Sequence, residues 1–215
     1  MIFDSALYFV TDSNGYIEDE FLSRVEEACK GGVTLLQLRE KDKTTREYIK
    51  LAEKVHGITR RYNIPLIIDD RVDVALAVDA EGVHVGRSDM PVKTARRLMG
   101  ENKIVGATAK TVEQAREAYS DGADYLGVGA IYPTTTKVIT KLTSVDTLKE
   151  IVKSVPIKVN AIGGLNKDNI GVLKDSGIDG ICVVSAIMKA DSPLLAAKDL
   201  KAAAEDLLDG FSKRK

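Results

Sequence analysis

Residues 103–129, KIVGATAKTVEQAREAYSDGADYLGVG, decide how this chain folds. Residues 104–107 are a short apolar run, 112–120 place apolar side chains at helical spacing, Asp121-Gly122 breaks the pattern, and 125–128 are apolar again. A strand, an amphipathic helix and a second strand read as a parallel β-α-β unit with the helix covering the pair. The same alternation recurs in both directions. Short runs at 7–10, 34–38, 66–68, 82–85, 158–162 and 180–184 bring the total to eight. Each is aliphatic or β-branched and bounded by Gly, Pro, Asp or Asn, as strands buried on both faces should be. Between them, 18–30, 45–62, 92–99, 145–154, 168–176 and 193–208 carry helical periodicity, and 71–78 is a shorter stretch of one or two turns. Strict alternation leaves an open doubly wound sheet or a closed barrel, and eight units favour the α/β TIM (β/α)8 barrel.

The 215 residues are 44% hydrophobic and 29% charged, a globular balance that supports a large core and argues against disorder. No Pro-rich linker or composition shift divides the chain, so one barrel domain over 1–215 is expected. A formal net charge of -1 with no basic block argues against nucleic acid as the main partner. The longest apolar runs, such as 75–78 and 181–184, fall far short of the roughly 20 residues that span a bilayer. Residues 1–10 carry Asp4 and no basic residue, which is not a secretory leader. Cys29 and Cys182 lie far apart without metal spacing and read as buried free thiols in a reducing, cytoplasmic setting.

In such a barrel, chemistry belongs where strands end and the following loops begin. The second run leads into Gln37-Leu38-Arg39-Glu40-Lys41, where alternation puts Gln37, Arg39 and Lys41 on one side, with Leu38 and Glu40 on the other. Two cations and an amide at a barrel mouth suit a polyanion such as pyrophosphate, although a strand end salt-bridged by Glu40 explains them equally well. Asp69 and Asp70, with Asp89 one strand later, offer hard oxygen ligands of the kind Mg²⁺ uses together with substrate phosphates, while Asp70 alone reads first as a helix N-cap. Thr108 and Lys110 end the fifth run. Pro133 to Lys137 gathers three hydroxyls and an amine in a long loop continuing to Thr143. Gly163-Gly164 and Val184-Ser185 sit where many barrels bind phosphate. His56 reads as a partly exposed helix residue and His84 as a satisfied core histidine.

These strand ends resemble one family over nearly the whole chain, the thiamine-phosphate synthases. The segments that carry the resemblance are GVTLLQLREK (32–41), IDDRVDVAL (68–76), GVHVGRSD (82–89), GATAKT (106–111), GADYLGVGAIYPTTTK (122–137) and AIGGL (161–165). The resemblance implies a TIM barrel that condenses 4-amino-2-methyl-5-hydroxymethylpyrimidine diphosphate with 4-methyl-5-(2-phosphoethyl)thiazole, giving thiamine phosphate and pyrophosphate. It assigns Gln37, Leu38, Arg39, Glu40, Lys41, Asp69, Thr108 and Lys137 to the pyrimidine diphosphate, with Arg39, Lys41 and Lys137 as the catalytic cations. It makes Asp70 and Asp89 ligands of Mg²⁺, and gives Thr134, Thr135, Thr136, Gly164, Val184 and Ser185 to the thiazole phosphate. A homo-oligomer is compatible with this reading. The chain departs from the family pattern at Asp69, where Asn is usual, at Thr108, where Ser is usual, and at Ala130, where Pro is common. A related thiazole tautomerase uses a histidine after the fifth strand, where this chain has Thr108-Ala109-Lys110, and a non-catalytic phosphate sensor would have no use for the metal pair.

Overall fold

In the computed structural model, which describes residues 3–134 and 142–212, eight parallel strands close into a barrel in chain order, β8 pairing back to β1. They are β1 (Leu7–Val10), β2 (Leu35–Leu38), β3 (Leu66–Asp69), β4 (Gly82–Val85), β5 (Ile104–Ala109), β6 (Tyr125–Gly129), β7 (Lys158–Ile162) and β8 (Gly180–Val183). Helices α1 (Glu18–Lys30), α2 (Thr45–Arg61), α3 (Val72–Ala77), α4 (Val92–Met99), α5 (Val112–Ser120) and α6 (Val145–Ser154) follow the first six strands. After β8 come α7 (Ser185–Met188) and α8 (Pro193–Ser212). No described helix is long and apolar enough to cross a membrane.

Strand alternation sorts the core into two layers. Leu7, Phe9, Leu36, Leu38, Ile68, Val83, Val105, Leu126 and Val159 point outward into the main cluster beneath the helices. Phe3, Tyr8, Val10, Leu35, Ile67, Ile104, Tyr125 and Cys182 form a separate cluster inside the barrel. Large inner side chains fit because glycines face them. A Cβ at Gly106 would overlap the Tyr125 ring, and one at Gly127 would press on His84. Both cysteines are buried and free, as expected.

The N-terminal end of the barrel is tied by a repeated device. Thr34, Glu81, Asp124 and Asp179 immediately precede β2, β4, β6 and β8, and each side chain accepts a backbone N–H at the start of the preceding strand. The donors are Leu7 (3.1 Å), Leu66 (2.8 Å), Val105 (2.7 Å) and Val159 (2.8 Å). The acidic residues before strands therefore join neighbouring strands at their open ends, where ladder donors would otherwise lack acceptors.

Two sequence expectations are corrected. Residues 168–176 form a single 3-10 turn, Ile170–Leu173, in place of a helix. Asn166 and Asn169 take up backbone groups that a helix would use: Asn166 Oδ1 accepts from Asp168 N, and Asn169 Oδ1 accepts from Asn166 N. His56 is buried, not partly exposed. Its Nδ1 lies 3.1 Å from the Val78 carbonyl and its Nε2 3.1 Å from Glu81, the same carboxylate that receives Leu66 N–H.

Candidate active site

The last inward residue of each strand and the loop beyond it face the C-terminal mouth, where a cavity of about 350 Å³ opens. Gln37, Arg39 and Lys41 enter it from β2, Asp69 and Asp70 from β3, Asp89 from the loop after β4, and Thr108 from β5. Thr134, Gly164, Val184 and Ser185 line the opposite side. Thr135, Thr136 and Lys137 lie outside the described residues.

Leu38 and Glu40 are not brought into this cavity. Leu38 is fully buried in the outer core, and its carbonyl accepts from the Tyr48 hydroxyl at 2.6 Å. That bond, with Arg39 N–H donating to Thr11 Oγ1 at 3.2 Å, pins the end of β2 so that Arg39 and Lys41 point inward. Glu40 turns to a shallow neighbouring pocket beside Asp12 and Asn14, where its carboxylate accepts from Ser13 at 2.8 Å. Burial raises the Glu40 pKa, and Ser13 and Lys43 oppose that rise. Glu40 makes its salt bridge with Lys43, at 3.7 Å, and not with Arg39 or Lys41.

The cations pair instead with the carboxylates of β3. Lys41 Nζ lies 2.8 Å from Asp69 Oδ2 and bonds Asp70 Oδ2, and Arg39 Nε is 3.8 Å from Asp69. Asp69 is 7% exposed. Burial raises its pKa, while Lys41 and Arg39 pull the other way. Two cations therefore face the Asp69 carboxylate from β2. Burial also works to lower the Lys41 pKa, but its two carboxylate partners together raise it, so the ammonium stays charged.

Asp70 does not cap α3. Arg71 occupies the cap position with no side-chain cap, and Asp70 has φ +60°, a left-handed conformation that aims its carboxylate into the mouth. Burial raises the Asp89 pKa, and the neighbouring Asp70 carboxylate raises it further; Gly86 N–H holds Asp89 Oδ2 at 2.9 Å. Two carboxylates in mutual contact at a cavity rim are a donor set that a divalent cation would satisfy. Among the described residues no group of three or more His, Cys, Asp or Glu side chains could hold a metal, so the rest of a cation's shell would have to come from elsewhere.

The far wall is built on close backbone approach. Gly163 and Gly164 have φ +105° and +64°. A Cβ on Gly163 would collide with Ala130, and one on Gly164 would meet Tyr132 Cβ and Pro133 O at 2.7 Å. Ile131 N–H donates to Ile162 O and Tyr132 N–H to Gly163 O, both at 3.0 Å, which locks the loops after β6 and β7 together. Asn169 Nδ2 donates to Gly164 O at 2.9 Å. The asparagine that helps end the helical pattern thereby fixes the glycine loop.

Residue-type reasoning missed part of the cavity. His84 is hydrogen-bonded and buried, as a core histidine would be, yet it lines the floor with Tyr8 and Cys182. The period-two pattern of β4 carried the signal, since His84 lies two residues after inward-facing Gly82.

These features define a class: a (β/α)8 barrel whose mouth sets cations and a carboxylate pair against a wall of Gly, Thr and Ser. Residues 7–187 match the family described as thiamine monophosphate synthase, and the chain belongs to that family. It is 53% identical over 197 residues to the thiamine-phosphate synthase of Methanobrevibacter smithii, covering 92% of this chain and 94% of that one. It is 48% identical over 209 residues to that of Clostridium tetani, covering 97% of each. The solved thiamine phosphate pyrophosphorylase from Pyrococcus furiosus superposes with a TM-score of 0.85 at 42% identity, over 95% of this chain and 97% of that one.

Proposed function

We propose that this enzyme joins 4-amino-2-methyl-5-hydroxymethylpyrimidine diphosphate to 4-methyl-5-(2-phosphoethyl)thiazole, forming thiamine phosphate and releasing pyrophosphate. The observation that carries this reading is the division of one mouth into two walls, Arg39 and Lys41 with Asp69, Asp70 and Asp89 facing Thr134, Gly164 and Ser185. One wall suits a diphosphate with a divalent cation and the other a phosphate monoester.

In the reaction the bond between the pyrimidine methylene carbon and the diphosphate oxygen breaks, and its electron pair leaves with pyrophosphate. The aminopyrimidine delocalises the resulting cation, and the thiazole nitrogen lone pair forms the new C–N bond. No side chain need act as nucleophile. Mg²⁺ held by Asp70 and Asp89 would supply charge neutralisation to the leaving group, with phosphate oxygens completing its shell. Arg39 offers a forked set of donors and Lys41 a point charge to the same oxygens, and Lys137 is assigned to them by the family pattern. These cations favour the transition state over the ground state because charge on the leaving group grows as the bond breaks. Asp69 keeps Lys41 charged and oriented when no diphosphate is present. Thr134, Thr135, Thr136, Gly164, Val184 and Ser185 hold the thiazole phosphate so that the nitrogen faces the methylene carbon.

The reading also has the chain acting as one domain, 1–215, in the cytosol, on small molecules and not on nucleic acid or membranes, with self-association compatible. An assay that omits each component in turn tests it. Thiamine phosphate and pyrophosphate should form in equal amounts only when both substrates are present. Release of pyrophosphate at the same rate without the thiazole would make the protein a hydrolase and overturn the reading.

A further inference from the structure

Beneath the cavity floor five polar groups from five strands meet in an unbroken line across the barrel. Gln37 Nε2 lies 2.6 Å from Tyr8 Oη, Tyr8 Oη 2.6 Å from Tyr125 Oη, Tyr125 Oη 3.1 Å from His84 Nδ1, and His84 Nε2 3.0 Å from Thr108 Oγ1. Gln37, Tyr8, His84 and Thr108 line the cavity. Tyr125 is completely buried below them and packs edge-on against Tyr8 and Phe3. The barrel makes room for its ring by carrying glycine at position 106, where any Cβ would overlap it.

With Gln37 Nε2 facing Tyr8, one arrangement of the protons leaves no buried hydroxyl proton without an acceptor in the line. The Gln37 amide donates to Tyr8, so Tyr8 must send its own proton to Tyr125. Tyr125 then sends its proton to His84 Nδ1. His84 is left with the proton on Nε2 and donates it to Thr108. Reversing the middle link would strand the Tyr8 proton in an interior where Tyr8 is 2% exposed. Burial keeps both phenols protonated, since it raises their pKa values well above the ordinary tyrosine value. Coupled in series, the groups orient one another: Gln37 must turn its carbonyl oxygen away from Tyr8, and Thr108, having accepted from His84, keeps its hydroxyl proton for another partner.

We propose that Tyr125 is a positioning residue for the pyrimidine-diphosphate side of the site, fixing the His84 tautomer and, through Tyr8, the orientation of the Gln37 amide. The cavity floor then presents a set polarity, an acceptor at Gln37 and a donor at Thr108, before any ligand arrives. Tyr125 touches no ligand itself and acts only through its neighbours. The four bonds of this line involve neither Gly164 nor Ser185 of the thiazole-phosphate wall, so the Tyr125 hydroxyl should act on the pyrimidine-diphosphate side.

Two measurements on Tyr125→Phe, which keeps the ring and deletes one oxygen, test the proposal. The first is long-range proton–nitrogen NMR of the His84 ring in the ligand-free protein under alkaline conditions, with His56 as internal control. The wild type should show Nε2 protonated and Nδ1 bare, and Tyr125→Phe should show a tautomer mixture at His84 with His56 unmoved. A His84 protonated at Nδ1 in the wild type, or an unchanged ring in the variant, overturns the proposal whatever reaction the protein performs. The second rests on the synthase reading and separates the two substrates. In Tyr125→Phe the KM for the pyrimidine diphosphate should rise about fivefold to tenfold, the loss expected for one disordered hydrogen bond, with the KM for the thiazole phosphate unchanged. Equal rises in both KM values would show a merely structural role, and no rise in either would remove Tyr125 from positioning. Failure of the wild type to turn over would refute the synthase reading and leave the NMR result to decide the relay alone.

Discussion

At the N-terminal end of the barrel, Glu81, Asp124 and Asp179 each give a carboxylate oxygen to a backbone N–H of the neighbouring strand. At the C-terminal end, Asp69 and Asp70 face Lys41, and Asp70 and Asp89 face each other. Both ends carry acids next to strands, but the partners differ. The first set is matched to donors that never leave, as Asp124 shows by bonding both Val105 N–H and Arg96. In the second set only Asp89 also takes a backbone donor, Gly86 N–H, while Asp69 and Asp70 are matched to the Lys41 ammonium and Asp70 and Asp89 lie side by side as like charges. In the proposed reading the same residue type stabilises the fold at one end and prepares a site at the other.

The contrast can be broken by one substitution at each end. Asp70→Asn should lower turnover by at least about 100-fold, since even outer partners of a bound metal are commonly worth about 10- to 100-fold. The same change should leave the urea midpoint nearly unchanged, and a collapse of stability would return Asp70 to the structural class. Asp124→Ala should do the reverse. It strands Val105 N–H and takes away Arg96's carboxylate partner, costing about 1–3 kcal/mol in urea unfolding, while turnover per folded molecule stays at the wild-type level. A large loss of turnover at full stability would erase the distinction between the ends. The smallest effect is expected at Asp69, whose charge Lys41 and Arg39 already offset. Asp69→Asn should change activity by less than about tenfold, or ~1.4 kcal/mol, read from steady-state rates. A greater loss would show that the acid has its own role in this chain.

The barrel was legible because eight apolar runs and their helices follow two fixed periods, and period-two alternation separated inward Gln37 from outward Leu38. It also carried Asp69, Asp70, Asp89, Thr108 and Gly164 to one mouth, since strand ends share a face once the barrel closes. What stayed hidden depends on distances between remote residues. Tyr8 and Tyr125 each look like core tyrosines, and only closure puts their hydroxyls 2.6 Å apart. His56 follows the helical pattern of α2, but its burial requires Val78 and Glu81 to arrive from another segment. The 3-10 turn at Ile170–Leu173 escaped for a local reason, because asparagine side chains compete with helical hydrogen bonds in a way that apolar spacing does not record.

In the proposed reaction, Mg²⁺ held by Asp70 and Asp89 would neutralise the leaving diphosphate together with Arg39 and Lys41. Pyrophosphate release measured with both substrates before and after chelation of divalent cations tests this most directly. Release should stop on chelation and return when Mg²⁺ is added back. Release that continues unchanged in the presence of chelator would contradict it.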